Sequence, residues 1–372
     1  ATALVSKNTD NGIANNRSDI PAIDVSGRFI VFESIATNLV PDTVTVGRKH
    51  IYRKDTISGE VVLVSSDANG LEANASSSSP RISDIGRFVV FDSAATNLEA
   101  TLNSNGRSQI YLKDLETGVI SLVSRSVTLE TDNSDTGASN ADISNDGRFV
   151  VFQSADNDLS TVIGIPGVSQ IYLKDLDKES ITMISRTDAN EAGDSDSLNP
   201  FMSPDGRFIV FESTATNFPG SNGNRQIYLV DTTLSDHAIV QVSVDIDGAP
   251  ASADCNRASV SDNGTIVVFD TDAALDILDT NETTDIYHRD RNQATTALVS
   301  ANPVTQQSAN RASASAQVSG DGRFVVFESI ATDFVFETVA NITDIFVRDL
   351  SQSPAIVIDK VNFSQSGTEA TA

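Results

Sequence analysis

The 372-residue chain has a single cysteine, Cys255, no tryptophan and three histidines. A lone cysteine excludes an intrachain disulfide and any cysteine-built metal cluster. The histidines, His50, His237 and His288, are scattered along the chain, and no GxSxG, P-loop, HExxH or CxxC motif is present. A Ser-His-Asp triad is defined by geometry and is not legible from these residues. Positive charge is also scarce, with 25 Lys and Arg against 51 Asp and Glu and a formal net charge of -26. Such a field repels a phosphate backbone, which argues against a nucleic-acid partner. No apolar run approaches the ~20 residues that span a bilayer as a helix, so no membrane insertion is expected. No basic-then-apolar leader opens the chain, so either a leader has been removed or the sequence begins after one.

What the chain has is repetition. GRFIVFES begins at Gly27, GRFVVFDS at Gly86, GRFVVFQS at Gly147, GRFIVFES at Gly206 and GRFVVFES at Gly322, with a degenerate copy, GTIVVFDT, at Gly264. The steps are 59, 61, 59, 58 and 58 residues. A second string follows each first one, from IYRKD at Ile51 to IFVRD at Ile345, and a third, of the LVS type, follows in five units. A fourth short run, such as PRIS or PFMS, precedes each Gly. Each run is β-rich and bounded by Gly, Asn, Asp or Ser, which reads as a strand. Asp-Gly before the Arg in three units marks a hairpin, because Gly accepts positive φ. Six units of four antiparallel strands, without helical periodicity, predict an all-β, six-bladed β-propeller forming one domain over residues 1–372.

These SxDGRFVVF repeats resemble the WD-like propeller repeats of the TolB family, in a secreted bacterial variety, over nearly the whole chain. The resemblance implies a toroidal scaffold for protein or ligand contacts in an extracytoplasmic setting: periplasm, cell surface or medium. It does not imply a function, since one fold hosts many. Oligogalacturonate lyases share the scaffold but need a histidine-rich metal centre, which three scattered histidines do not provide.

A terminal strand is expected to close the ring. The N-terminal ATALVS matches TTALVS at 295–300, so the N-terminal strand is the favoured fourth strand of the last blade, with AIVID at the C-terminus as its competitor. The invariant phenylalanines Phe32, Phe91, Phe152, Phe211, Phe269 and Phe327 read as packing between blades. The residue after each is acidic in five units: Glu33, Asp92, Glu212, Asp270 and Glu328. These either pair with Lys54, Lys113, Lys174, Arg289 and Arg348 at strand ends or present a multivalent cation surface. The repeated Asp of the second string (Asp55, Asp114, Asp175, Asp231, Asp290, Asp349) is expected to accept turn N–H groups. His50 and His288 are expected to be incidental, His50 on a blade loop.

Two sets of residues are candidates for binding. Strand alternation places the variable residue five before each Gly on the face opposite its apolar neighbour. Arg81, Asp142, Phe201 and Gln317 are therefore candidates to line the central channel. In the loop DTNETTD, Asp279, Asn281 and Asp285 offer closely spaced hard oxygens suited to Ca²⁺. Further oxygen-rich runs start at Glu130 and Asp188. The function expected is a non-catalytic scaffold for a protein partner, with a calcium-dependent carbohydrate-binding or adhesive module as the alternative and a propeller enzyme as a third reading. The lack of Trp, and the confinement of all five Tyr to the IY strings, weakens the carbohydrate reading.

Overall fold

The structure, a computed structural model, describes residues 3–41, 44–99, 106–125, 136–234, 237–335, 342–352 and 358–361. The run beginning at Glu130 lies outside them up to residue 135. The fold is a six-bladed β-propeller in which every blade is a four-stranded antiparallel sheet in sequence order. Blade 1 comprises Ser18–Ile23, Phe29–Ser34, His50–Asp55 and Val61–Leu63. The one helical turn among the described residues is the 3-10 segment Asp84–Gly86. The blades cluster into two compact units, blades 1–3 and blades 4–6. Within each unit the first strands of successive blades touch one another.

The repeat strings have physical explanations. Val150 and Phe152 of blade 3 share one apolar cluster with Val90 and Ile110 of blade 2, so the second strands do pack blade against blade. Phe152 stacks on Tyr172 of the neighbouring strand, with ring centroids 5.9 Å apart. In the Asp-Gly turns only the glycine has positive φ (Gly147, +75°), and Gly147 N donates to Ser144 O at 2.9 Å. This is a type I turn closed by a glycine bulge. The glycine also fits against the phenylalanine that opens the second strand of the preceding blade. A Cβ at Gly86 or Gly147 would lie 2.2 Å from the ring of Phe29 or Phe88. The following arginine stacks on its own phenylalanine (Arg148 over Phe149, 4.6 Å) and forks onto the repeated aspartate (Arg148 to Asp175, 3.0 and 2.7 Å). That aspartate also accepts turn N–H groups, as expected: Asp177 N and Lys178 N donate to Asp175. Every residue of the D-G-R-F…D pattern thus has a structural task.

The blade-6 expectation is corrected. The fourth strand of blade 6 is the C-terminal Ile358–Lys360, pairing Phe346 with Lys360 and Arg348 with Ile358. The N-terminal segment instead lies over blade 1. Val5 packs against its apolar cluster, Lys7 and Ile13 form a bridge, and the Lys54 ammonium donates to Lys7 O at 3.1 Å. The turn after the fourth strand of blade 1 serves blade 2 in the same way: Ser66 bridges Glu72, and Lys113 donates to Ser66 O at 3.1 Å. ATALVS and TTALVS both lead into such an overlying turn, bridged at Lys7–Ile13 and Ala301–Ser308; residues 1 and 2 lie outside the described residues.

Candidate functional site

Each first strand carries the same irregularity. Its register shifts once, between Asp19 and Ala22 in blade 1 and between Asn256 and Ser259 in blade 5. At the shift one residue adopts positive φ: Ile20, Ser79, Asn140, Asn199, Arg257 and Ser315, between +48° and +59°. Such a bulge takes one backbone N–H out of the ladder, and a buried N–H must find another acceptor. The acidic residue after the invariant phenylalanine provides it for the next blade. Asn140 N donates to Asp92 (3.3 Å), Arg257 N to Glu212 (2.8 Å) and Ser315 N to Asp270 (3.1 Å).

The expectation that these carboxylates pair with the strand-end cations is therefore corrected. Their ionic partners are Lys49 for Glu33, Arg225 for Glu212 and Arg257 for Asp270. The strand-end Lys54, Lys113 and Arg348 donate to backbone carbonyls instead. Sequence reasoning could not foresee this, because a bulge within a strand leaves no mark in an apolar/polar pattern.

The arrangement makes Asp92 sensitive to pH. Burial pushes its carboxyl up to about 7, and its Oδ1 is buried without a partner. Asn140 N, Ser79 and Arg81 oppose that rise, and Glu33 adds to it. A folded pKa above the unfolded one adds stability that is complete below about pH 4 and is lost as pH rises through 7. Asp92→Asn should accordingly raise stability at pH 8 by on the order of 2–4 kcal/mol and change little at about pH 3, below the unfolded pKa. Denaturant melts of both proteins at the two pH values check this, and equal gains at both would contradict it.

A second recurrent polar seat lies at the residue before each Ile-Tyr or Ile-Phe pair. It is wholly buried in blades 1–5: His50, Gln109, Gln170, Gln226 and Asp285. In blades 2–5 its side-chain oxygen accepts the serine hydroxyl that follows the fourth strand, as in Ser124 to Gln109 at 2.6 Å and Ser243 to Gln226 at 2.7 Å. His50 is thus the first residue of a strand rather than part of a loop. Its Nδ1 lies 3.2 Å from Ser65 Oγ and its Nε2 3.1 Å from Glu72 Oε2. This Ser-His-Glu string has triad connectivity, but Ser65 is fully buried and its hydroxyl already accepts Ile51 N at 3.0 Å. The same serine does the same in blades 2–5. The string is a packing device.

The site predicted at Asp279, Asn281 and Asp285 belongs to this seat in blade 5. Asp285 Oδ1 accepts Ser300 Oγ at 2.5 Å, while Oδ2 is buried without a hydrogen bond. The Asn281 amide hydrogen-bonds the Asp285 carboxyl, donates to Ala309 O at 2.6 Å and accepts Thr283 N at 2.8 Å. Asp279 accepts the Tyr287 hydroxyl at 2.6 Å. Among the described residues no three His, Cys, Asp or Glu side chains converge as a metal centre. The seat combines carboxylate with amide and carbonyl oxygens instead.

The predicted channel residues have different local surroundings. Phe201 packs against the apolar cluster of blades 4 and 5, and the equivalent Ser259 accepts Val318 N of blade 6 at 2.9 Å. Asp142 is 9% exposed and accepts Ile143 N, Arg81 donates to Pro80 O, and Gln317 is exposed. A blade has neighbours on both faces, so the face opposite an apolar residue is itself a blade interface. The residue that leaves that alternation is the bulged one, two places earlier, for example the exposed Arg257.

Arg257 borders a cleft of about 430 Å³ between blades 5 and 6. Asp254, Asp270, Asp272 and Glu328 supply its carboxylates. Asp270 is buried, which raises its pKa, and binds the Arg257 guanidinium at 3.2 Å. Asp254, Asp272 and Glu328 are exposed. The neighbouring Cys255 is no nucleophile, since burial pushes its thiol up to about 12. The cleft suits a cationic group held by several carboxylates.

Neither a protein-family model nor a curated protein sequence matches the chain. Solved structures do match. The β-propeller domain of the trilobed protease from Pyrococcus furiosus aligns with a TM-score of 0.53 at 13% identity, over 94% of this chain and 84% of that one. An acylaminoacyl peptidase from Pyrococcus horikoshii aligns at 0.52 and 14% identity, over 93% and 46%. TolB from Acinetobacter baumannii aligns at 0.46 and 16% identity, over 86% of this chain and 61% of that one. These likenesses are of fold alone: the chain has a β-propeller fold.

Proposed function

We propose that this chain is a non-catalytic, extracytoplasmic scaffold that docks a basic segment of a protein partner in the cleft between blades 5 and 6. The observation that carries this reading is the cleft itself, where four carboxylates border one guanidinium. In a molecule of net charge -26 the surrounding field favours a cationic partner and speeds its approach. The carbohydrate reading is weaker. Sugar rings stack on exposed aromatics, and all five tyrosines are buried between strands.

A lysine- and arginine-rich peptide of about twelve residues, titrated by calorimetry, tests the proposal. Binding should weaken about tenfold or more between 50 and 200 mM salt if several ion pairs form. The double variant Asp272→Asn/Glu328→Gln changes only exposed side chains and should lower affinity by about tenfold or more. Equal affinity for a peptide of reversed charge, or unchanged affinity in the double variant, would overturn the reading. So would saturable turnover of a substrate by the chain.

A further inference from the structure

The acidic residue after the invariant phenylalanine has a cation beside it in some blades and not in others. In blade 1 Lys49, the residue just before the third strand, binds Glu33 at 2.9 Å. In blade 4 Arg225 holds the same position, 3.8 Å from Glu212. The strand pairing makes these positions equivalent. Glu33 pairs with Ile51, Glu212 with Ile227 and Glu328 with Ile345, and the residue two before each isoleucine is Lys49, Arg225 or Thr343.

The other blades lack that cation and differ in what becomes of the carboxylate. Blade 3 has Ser169 there and a neutral Gln153 in place of the acid. Blade 2 has Ser108, and burial pushes the Asp92 carboxyl up to about 7. Blade 5 has Thr284, and Arg257 of the first strand supplies the cation to Asp270 at 3.2 Å. Blade 6 does none of these. Its bulge residue is the neutral Ser315, the residue before its third strand is the exposed Thr343, and its acid is the exposed Glu328. Among the described residues the Glu328 side chain has no ion pair and no hydrogen bond.

Glu328, Thr284 and Thr343 all line the docking cleft. Threonine is short where blades 1 and 4 carry a long cationic side chain, so the two threonines leave that space open. We infer that one lysine or arginine of the basic partner fills the blade-6 seat, with its cation on Glu328 as Lys49 and Arg225 sit on the carboxylates of blades 1 and 4. This rests on the docking reading and adds which contact selects the partner. Glu328 supplies a charge-assisted acceptor, and Thr343 leaves room for the side chain that brings the charge. Asp270 contributes less, because Arg257 and Ser315 N already bind it. Selectivity then lies in one position of the partner rather than in its total charge.

Thr343→Lys tests this in the full chain, because it gives blade 6 the cation of blade 1 and removes no carboxylate. It should melt no lower than the parent and bind the basic peptide about tenfold or more weaker. Ser169→Lys adds the same charge in blade 3, where Gln153 offers no carboxylate, and should change affinity by less than about twofold. The peptide's lysines and arginines can be replaced one at a time by norleucine. One replacement should weaken binding to the parent about tenfold, and to Thr343→Lys or Glu328→Gln less than about twofold. Glu328→Gln gives blade 6 the residue of blade 3 and keeps this comparison readable if Thr343→Lys folds poorly. Parent-like affinity in a folded Thr343→Lys, equal weakening by Ser169→Lys, or the same norleucine losses in the parent and Glu328→Gln would overturn the inference and leave the docking reading in place. A parent that does not bind the peptide would overturn both.

Discussion

Replacing Gly147 with alanine is expected to destabilise the protein by about 2–4 kcal/mol, against about 1–2 kcal/mol for Gly118→Ala. The two glycines have the same backbone, φ +75° and +76°. They differ in surroundings. A Cβ on Gly147 meets the Phe88 ring of the neighbouring blade at 2.2 Å, whereas nothing lies within 4 Å of one on Gly118. The left-handed conformation penalises both variants, and only Gly147 adds overpacking between blades. Urea melts of both variants measure the difference. Equal losses would mean that the glycine serves its turn alone and that blade-to-blade contact at Phe88 is loose.

The second large effect concerns the last blade. Lys360→Ala should cost about 3–5 kcal/mol, because it leaves Asp344 buried without its cation. Removing both charges in Asp344→Leu/Lys360→Met should restore most of that loss, since a buried ion pair is close to neutral against apolar residues of similar size. A loss below about 0.5 kcal/mol, the range of exposed positions, would show that Ile358–Lys360 does not complete blade 6.

The sequence made the propeller legible because its period is long and its strings recur with little change. The four strands per blade, the packing role of the phenylalanines and the turn-capping role of Asp175 all follow from local pattern. What was not legible depends on neighbouring blades. The bulge in each first strand costs one N–H, and only the preceding blade shows that Asp92 or Glu212 receives it. Alternation placed Arg81 and Phe201 opposite an apolar neighbour but says nothing of what that face meets, which for Phe201 is the apolar cluster of blades 4 and 5.

The ends misled for a related reason. ATALVS carries the pattern of a fourth strand and its following turn, but Lys54 and Val5 tie only the turn function to blade 1. Lys360 sits in a short segment whose strand character comes from pairing with Phe346. The loop 279–285 was visible as an oxygen-rich run, yet the partners of its oxygens, Tyr287 for Asp279 and Ser300 for Asp285, are set by the fold.

Hydrogen–deuterium exchange with and without the basic peptide tests the docking account most directly. The account predicts slowed exchange confined to the segments around 254–257, 270–272, 312–315 and 328–330, abolished in Asp272→Asn/Glu328→Gln. Protection spread evenly over the acidic surface, or centred on blades 1–3, would contradict it.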